Sequence, residues 1–205
     1  STVGGNTEPL VVIDGVLGQS LSNVDPADIE NITVLKDGSA AAIYGTRGSS
    51  GVILVTTKSG KNGQPFSVSY NGQFSTASIS NQIDLMGRQE FLATGGTDLG
   101  ADTDWRDEVT RTAVSKIHNI SAVGGTDKAN YRVSVNLRDA EGILINSGFN
   151  QVNARAKLSG KMLNDKLKIS FNTSLTQRDS DFGFNEALRY ASVYNPTAPV
   201  LGSDA

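Results

Sequence analysis

The chain has 205 residues, of which 38% are apolar and 19% are charged. Its 18 basic and 21 acidic residues give a formal net charge of −3, which argues against a sequence-independent grip on nucleic acid phosphates. No apolar run comes near the ~20 residues that a transmembrane helix needs. The absence of cysteine excludes disulfides and zinc–thiolate sites. The 22 glycines, against a usual share of about 7%, favour turns and strands over long helices.

The first 64 residues predict a small α+β unit. Short apolar strands are expected at 10–13, 32–35 and 51–57, and the turn dipeptide at 14–15 stops the first of them. The dipeptide at 25–26 supplies an N-cap followed by proline, so a helical turn should begin there. A short helix is predicted at 39–44, with a glycine after it to end it, and a polar, glycine-bearing linker follows at 58–64.

From residue 66 onward, apolar residues alternate with polar ones, as in strands that have one apolar face. Four clean strands are predicted, and a fifth at 116–123 is weaker because its apolar side holds only His118, Ile120 and Ala122. The connections alternate between long and short, as in outer-membrane barrels with external loops and periplasmic turns. The apolar rows of the clean strands are Phe66, Val68, Tyr70 and Phe74; Tyr131, Val133, Val135 and Leu137; Val152, Ala154, Ala156 and Leu158; and Leu167, Ile169, Phe171 and Leu175.

This alternation fits two architectures. A membrane barrel places its apolar row against lipid, whereas a soluble sheet uses the same row to cover a core. The polar rows are rich in Ser, Asn and Gln with scattered Arg, as a wet lumen or a packed contact would allow. Periodicity alone leaves both architectures open.

The sequence lacks the motifs of an enzyme or a nucleotide site. It contains no G-x-G-x-x-G or G-K-[ST] motif, and no H-E-x-x-H, Cys-His pair or Ser-His-Asp order with a nucleophile elbow. We therefore expect no enzymatic activity and no cofactor. An acidic segment could offer oxygen ligands to Ca²⁺ but lacks the D-x-D-x-D-G order, and it reads equally well as a solvated loop; its acids are Asp98, Asp102, Asp104, Asp107 and Glu108.

Several motifs, in a fixed order along the chain, carry a family resemblance. The first group resembles the plug of TonB-dependent outer-membrane receptors, in particular those of the SusC/RagA family. The second group resembles the first barrel hairpins of that family. The plug motifs are PLVVIDGV at 9–16, DPADIE at 25–30, VLKD at 34–37, AAIYG at 41–45 and RGSSGVILVTTK at 47–58; the hairpin motifs are DWRDE at 104–108, NISAVGGT at 119–126, NYR at 130–132 and EGIL at 141–144.

The resemblance implies an α+β plug segment at 1–64 and, at 65–205, the first strands and loops of an antiparallel transmembrane β-barrel that is incomplete. Family members have an earlier plug part and about 22 strands, so we expect a longer protein. Plug residues that match the family pattern are expected to be structural: Ile13, Asp14, Gly15, Val34, Lys36, Tyr44, Gly45 and Gly51.

The resemblance also implies a function, which is energy-coupled nutrient import across the outer membrane of a Gram-negative bacterium of the Bacteroidota type. The implied partners are the TonB energy-transducing complex, a SusD-like lipoprotein lid, outer-membrane lipid, and an oligosaccharide or peptide substrate; nucleic acid is not expected. The alternative is a soluble β-rich binding module with a small plug-like interaction domain.

Arg132, Arg138 and Arg155, together with Lys157, fall on the face predicted to point inward. They could hold the plug through carboxylates, line a solute path or be solvated. Trp105 could lie near a membrane interface, where amphipathic rings are favoured, or it could pack within a loop.

Overall fold

The computed structural model describes residues 8–36, 42–81, 83–164 and 166–200. The chain divides into two compact units, and each is described here by itself. Unit 1 comprises Ser1–Asn71, His118–Leu137 and Val152–Gln177. Unit 2 comprises Gly72–Ile117, Arg138–Gln151 and Arg178–Ala205.

A small four-stranded sheet, hereafter the plug sheet, lies in unit 1. Its strands are arranged in the order β2-β1-β4-β3, with β1 parallel to β4 and β4 antiparallel to β3. Apolar side chains of its central strands form its core, where Val12 is 3% and Val52 0% exposed. The strands are β1 Leu10–Ile13, β2 Val16–Leu17, β3 Ile29–Leu35 and β4 Val52–Thr57.

The short strand β2, which the sequence does not predict, owes its existence to a tight turn. Asp14 and Gly15 have φ angles of 48° and 88°, the positive values that a two-residue type I′ hairpin requires. The turn pairs Ile13 with Val16. A residue pair that stops β1 therefore also starts the next strand.

The helical segments of unit 1 are short. The predicted turn after Asp25 is confirmed as the 3-10 helix Pro26–Asp28, capped by the bond from the Ala27 N–H to Asp25 Oδ1 at 2.8 Å. Another 3-10 helix spans Leu21–Asn23. Of the helix predicted at 39–44, residues 42–44 are helical and lead into the 3-10 helix Gly45–Gly48, whereas 39–41 fall outside the described residues.

A five-stranded sheet follows, in which the strands lie in chain order. Strands that are successive along the chain and adjacent in the sheet pair antiparallel across the short connections at 126–128 and 163–166. The strands are 11 to 15 residues long, longer than predicted, because backbone pairing continues where the side-chain alternation fades. The strands are β5 Ser67–Ala77, β6 Ala113–Gly125, β7 Ala129–Glu141, β8 Gly148–Met162 and β9 Leu167–Asp181.

Burial on the middle strands of this sheet is the reverse of that in a soluble sheet. The polar side chains Ser134 and Asn136 on β7 are each 2% exposed, and Arg155 on β8 is 8% exposed. The apolar rows point the other way; most of their members are exposed, whereas Val135, Ala154 and Ala156 are half-buried. Both outer strands are exposed along nearly their whole length. Exposed members of the predicted rows include Phe66, Val68, Tyr70, Phe74, Val133, Leu137, Val152, Leu158, Ile169, Phe171 and Leu175.

The helices in the described part of unit 2 are short: α1 Arg88–Ala93, α2 Trp105–Val109 and α3 Ala187–Val193. Thr197, which is fully buried, ties its loops together: the Leu99 N–H donates to Thr197 Oγ1 at 2.8 Å, and that hydroxyl donates to the Thr97 carbonyl at 3.0 Å. In the described ranges of the chain, none of the helices has the length and apolar character to cross a membrane.

Candidate functional site

The first of two carboxylate clusters is built around Asp28, at the end of a 3-10 helix in unit 1. Asp28 is 2% exposed. Its Oδ2 accepts hydrogen bonds from Ser134 Oγ at 2.8 Å and Asn136 Nδ2 at 2.7 Å, and its Oδ1 accepts one from Arg132 Nη2 at 3.2 Å. The three donors alternate along β7, so they share one face of that strand. One plug carboxylate therefore meets a row of three donors on one strand.

The second cluster is built around Asp14, in the turn between β1 and β2. Within the plug sheet, Asp14 Oδ1 accepts from the Thr57 N–H at 2.9 Å, and Asp14 Oδ2 accepts from the Thr57 hydroxyl at 2.7 Å. From β8, Lys157 Nζ donates to Oδ1 at 2.8 Å and Arg155 Nη1 to Oδ2 at 3.3 Å. From β9, Asn172 Nδ2 donates to Oδ2 at 3.1 Å. Two cations thus compensate one buried anion.

The environment of Asp14 keeps its carboxylate ionised. Burial raises the pKa of the Asp14 carboxyl, but hydrogen bonds from Lys157 and Thr57 and the charge of Lys157 outweigh burial, and the pKa lies below its usual value of 3.8. At neutral pH, Asp14 is therefore a charged acceptor. A buried ion pair of this kind is costly to break from one side, since the remaining charge stays uncompensated.

The linker at 58–64 makes a third contact with the strands of unit 1. The Gly63 N–H donates to the Thr126 carbonyl at 2.9 Å, and Asn130 Nδ2 donates to Asn62 Oδ1 at 2.6 Å. At Gly60 the linker lies so close to β7 that an added Cβ would sit 2.5 Å from the Tyr131 carbonyl oxygen. This contact could not be predicted from the sequence, where the only related signal is a glycine in a polar segment.

The residues of the predicted plug pattern are divided between the core of the plug sheet and its turns and surface. Tyr44 packs against the Val12–Val52 cluster, and Ile13 is 2% exposed. Gly51 has a φ of +95°, and a Cβ there would lie 3.3 Å from the Leu35 carbonyl oxygen. Of the remaining residues of the pattern, Asp14, Gly15 and Gly45 have positive φ, Lys36 follows β3, and Val34 is 54% exposed.

The inward-facing arginines are distributed over both units. Arg132 and Arg155 belong to unit 1 and reach the carboxylates of Asp28 and Asp14. Arg138 belongs to unit 2, so its contact with the plug stays a prediction. His118 lies on the exposed row of β6, where its Nδ1 is 2.8 Å from the Tyr70 hydroxyl.

The acidic segment of unit 2 is occupied by protein contacts. Asp98 pairs with Arg88 at 2.8 Å and accepts from the Gly100 N–H at 2.9 Å; the hydrogen bond from Arg88 is the main cause of its lowered pKa. Asp104 caps α2 by accepting from the Arg106 N–H at 3.0 Å. Among the residues that the structure describes, no group of three or more His, Cys, Asp or Glu could hold a metal ion.

Comparison with known proteins identifies the family. The TonB-dependent receptor plug domain matches residues 2–52. The whole chain is 40% identical, over 225 residues, to the TonB-dependent receptor SusC of Bacteroides thetaiotaomicron. This chain belongs to the SusC/RagA-type TonB-dependent receptors. The family resemblance seen in the motifs is thereby confirmed.

Other members of the family extend this match. The TonB-dependent receptor P3 of Formosa agariphila is 36% identical over 153 residues, which cover 72% of this chain. A structure of the RagAB peptide transporter superposes with a TM-score of 0.77 at 23% identity, covering 87% of this chain and 25% of that chain. The chain spans 22% of the length of SusC and 15% of that of P3.

Proposed function

We propose that this SusC/RagA-type receptor is an outer-membrane protein of a Gram-negative bacterium that imports nutrients at the expense of energy delivered through TonB. In this proposal, residues 1–64 belong to the plug, and residues 65–205 form the first strands and loops of a β-barrel around it. The observation that carries the proposal is the reversed burial of the five-stranded sheet, whose polar row meets the plug sheet while its apolar row is exposed.

Reversed burial has a direct physical reading. Exposed apolar surface costs about 25 cal/mol per Å² in water, and that cost disappears when lipid covers the surface. On the middle strands β7 and β8, Val133, Leu137 and Leu158 are 44%, 40% and 48% exposed. A soluble binding module would need protein over this row, and in the described part of the chain these side chains stay uncovered. Lipid contact accounts for this exposure, which supports the membrane barrel over the soluble alternative.

The two carboxylate clusters suit a plug that is held in place at rest and released during transport. Each is made of hydrogen bonds and ion pairs that break and re-form with no change in covalent structure. The plug sheet carries its own apolar core around Val12 and Val52, so detachment from the strands need not dismantle that core. When the TonB complex pulls on the plug, the carboxylates of Asp28 and Asp14 would separate from Arg132, Arg155 and Lys157. Water that enters the path would then hydrate these charged groups. No chemical bond of the cargo is changed, so no enzymatic activity is proposed.

Partners and cargo follow from the family. We propose a SusD-like lipoprotein as the lid and an oligosaccharide or a peptide as the cargo. One similar structure is that of a peptide transporter, which supports the peptide end of this range.

A reversible crosslink tests the proposal. The chain has no cysteine, so Asp28→Cys with Ser134→Cys can tie the plug to β7 in the natural gene product, at a site where the native side chains are 2.8 Å apart. The imported nutrient is first identified by comparing the growth of a gene deletion strain with that of wild type on a panel of oligosaccharides and peptides. We expect oxidation of the crosslink to block growth on that nutrient. A reductant should restore growth.

A matched crosslink at the linker serves as control. Asn62→Cys with Asn130→Cys joins side chains that are 2.6 Å apart in the native protein, but it fixes the linker and not the plug sheet. We expect it to leave growth unchanged. Three results would contradict the proposal. The strain with the oxidised plug crosslink could grow as well as wild type, growth could be independent of TonB, or the wild-type protein could be recovered in the soluble fraction.

A further inference from the structure

Unit 2 encloses a cavity that the plug clusters do not explain. Its volume is about 420 Å³, within the range of small-ligand sites. Its walls come from three stretches of unit 2, at 85–91, 102–106 and 191–196. None of its lining residues, all within the described part of the chain, belongs to a strand.

Aromatic rings form part of the wall. Trp105 and Tyr194 meet edge to face, with ring centroids 4.9 Å apart at 79°. Trp105 Nε1 donates to the Asn195 carbonyl at 2.9 Å, which fixes the orientation of the indole. Trp105 therefore fits the loop-packing alternative of the two that the sequence left open. The Tyr194 side chain, in contrast, is 57% exposed, so its ring is available to a ligand.

Polar groups converge on the same cavity. Asp102 is exposed and supplies a carboxylate. Arg106 donates through Nη1 to the Ile83 carbonyl at 2.9 Å and through Nη2 to Asp104 at 3.2 Å. Its Nε is buried and has no hydrogen-bond partner among the described residues. Its two other guanidinium nitrogens are held by protein acceptors, so Arg106 contributes a fixed positive charge to the wall.

We propose that this cavity is a binding subsite for a neutral saccharide. A sugar ring has apolar C–H faces that can lie on Tyr194 and hydroxyl groups that both donate and accept. Its hydroxyls can donate to the exposed carboxylate of Asp102. This assignment rests on the proposed import function and narrows the cargo to a glycan.

The same observations disfavour the other cargo classes. The lining carries the carboxylates of Asp102 and Asp104 against the single guanidinium of Arg106, which opposes an anionic ligand. An extended peptide is commonly bound by addition to an exposed strand edge, and the cavity has helical and coil walls only.

Binding by the purified full-length receptor tests the inference. The probes are hexasaccharides of α-1,4-linked glucose, β-1,4-linked glucose and mannose, with a neutral hexapeptide for comparison, measured by calorimetry. We expect at least one hexasaccharide to bind, and Tyr194→Ala to weaken that binding about tenfold or more. Asp102→Ala should weaken it in the same direction.

Matched variants provide the controls. Tyr190→Ala removes an exposed tyrosine of α3 that stacks on Phe184 and does not line the cavity, and Asp107→Ala removes an exposed acid of α2 outside the cavity. Both should bind within about twofold of wild type. Any of three results would overturn the inference: the wild-type receptor binds only the hexapeptide, it binds no probe, or Tyr194→Ala binds the saccharide as tightly as wild type.

These outcomes separate the subsite from the transport proposal. If only the subsite is wrong, uptake in the wild type remains TonB-dependent and the oxidised plug crosslink still blocks it. If transport is wrong, the plug crosslink has no effect whatever the sugar affinity of unit 2.

Discussion

The plug sheet and the five-stranded sheet apply strand alternation in opposite directions. In the plug sheet, apolar Val12 and Val52 are 3% and 0% exposed. On strand β7 of the five-stranded sheet, polar Asn136 is 2% exposed while apolar Val133 is 44% exposed. The contrast shows that a period of two residues fixes two faces but does not decide which face is inside. What lies against each face decides that.

The contrast also separates two kinds of stability. The plug sheet has a core of its own, whereas its attachment to the strands uses charged and polar groups. Apolar packing resists partial opening, while a polar contact can exchange protein partners for water. The sheet can therefore remain folded while its anchors are released.

The largest expected effect comes from a charge in the plug core. Val52→Arg should destabilise the plug sheet by more than about 4 kcal/mol, because an unpaired buried charge has no compensation there. Protease digestion of the plug in outer-membrane preparations measures the loss. Val34→Arg, on the paired strand β3 where Val34 is 54% exposed, should leave protection nearly unchanged; loss of protection in both variants would break the distinction between core and surface.

A smaller effect is expected at the anchor. Asp28→Ala removes the acceptor of Arg132, whose side chain is only 15% exposed, and should weaken plug attachment by about 3 kcal/mol. The denaturant concentration that makes the plug protease-sensitive reports this change. Asp28→Asn, which keeps an acceptor oxygen but not the charge, should fall between Asp28→Ala and wild type. If Asp28→Ala becomes protease-sensitive at the same denaturant concentration as wild type, the cluster does not stabilise plug attachment.

The exposed row offers a third test, with an effect of about 2 kcal/mol for an arginine placed towards lipid. Phe171→Arg should reduce the amount of folded receptor in the outer membrane, because lipid solvates arginine poorly. Ser170→Arg places the same side chain on the neighbouring residue, which faces the polar side, and should assemble normally. Equal assembly of the two variants would remove the case for lipid at this row.

The smallest effect is the acid dependence of the Asp14 anchor. Since the pKa of Asp14 is lowered in the folded protein from 3.8, its contribution is fully present above pH 3.8. That contribution is lost as the pH falls through the folded pKa. Plug protection followed below pH 4 should therefore fall more steeply in wild type than in Asp14→Asn, which has no group to titrate there. If plug protection falls equally with pH in the two proteins, carboxylates other than Asp14 are responsible for the loss of protection in acid.

Much of this fold could be predicted from local patterns. The apolar runs at 10–13 and 51–57 and the alternation after residue 66 marked the strands, and Asp25-Pro26 marked a helical turn. Strand β2 was missed because two residues carry no periodicity, and β6 was undervalued because its apolar side holds only His118, Ile120 and Ala122. Its full length comes from pairing with β5 on one side and β7 on the other.

The candidate site divides in the same way. The sequence placed Arg132 and Arg155 on one face, but it could not name their partners, since Asp28 and Asp14 are more than 100 positions away. The approach of Gly60 to β7 and the cavity beside Tyr194 were equally invisible. They depend on segments that only folding brings together.

The sequence by itself determined where most of the strands lie and which two faces they have, because propensity and spacing are local properties, and its motifs carried the resemblance to the family. Only the tertiary structure decided that the polar face is the buried one and that each plug carboxylate meets its own set of strand donors. Those outcomes depend on what packs against each face, and packing between distant segments is a property of the whole chain.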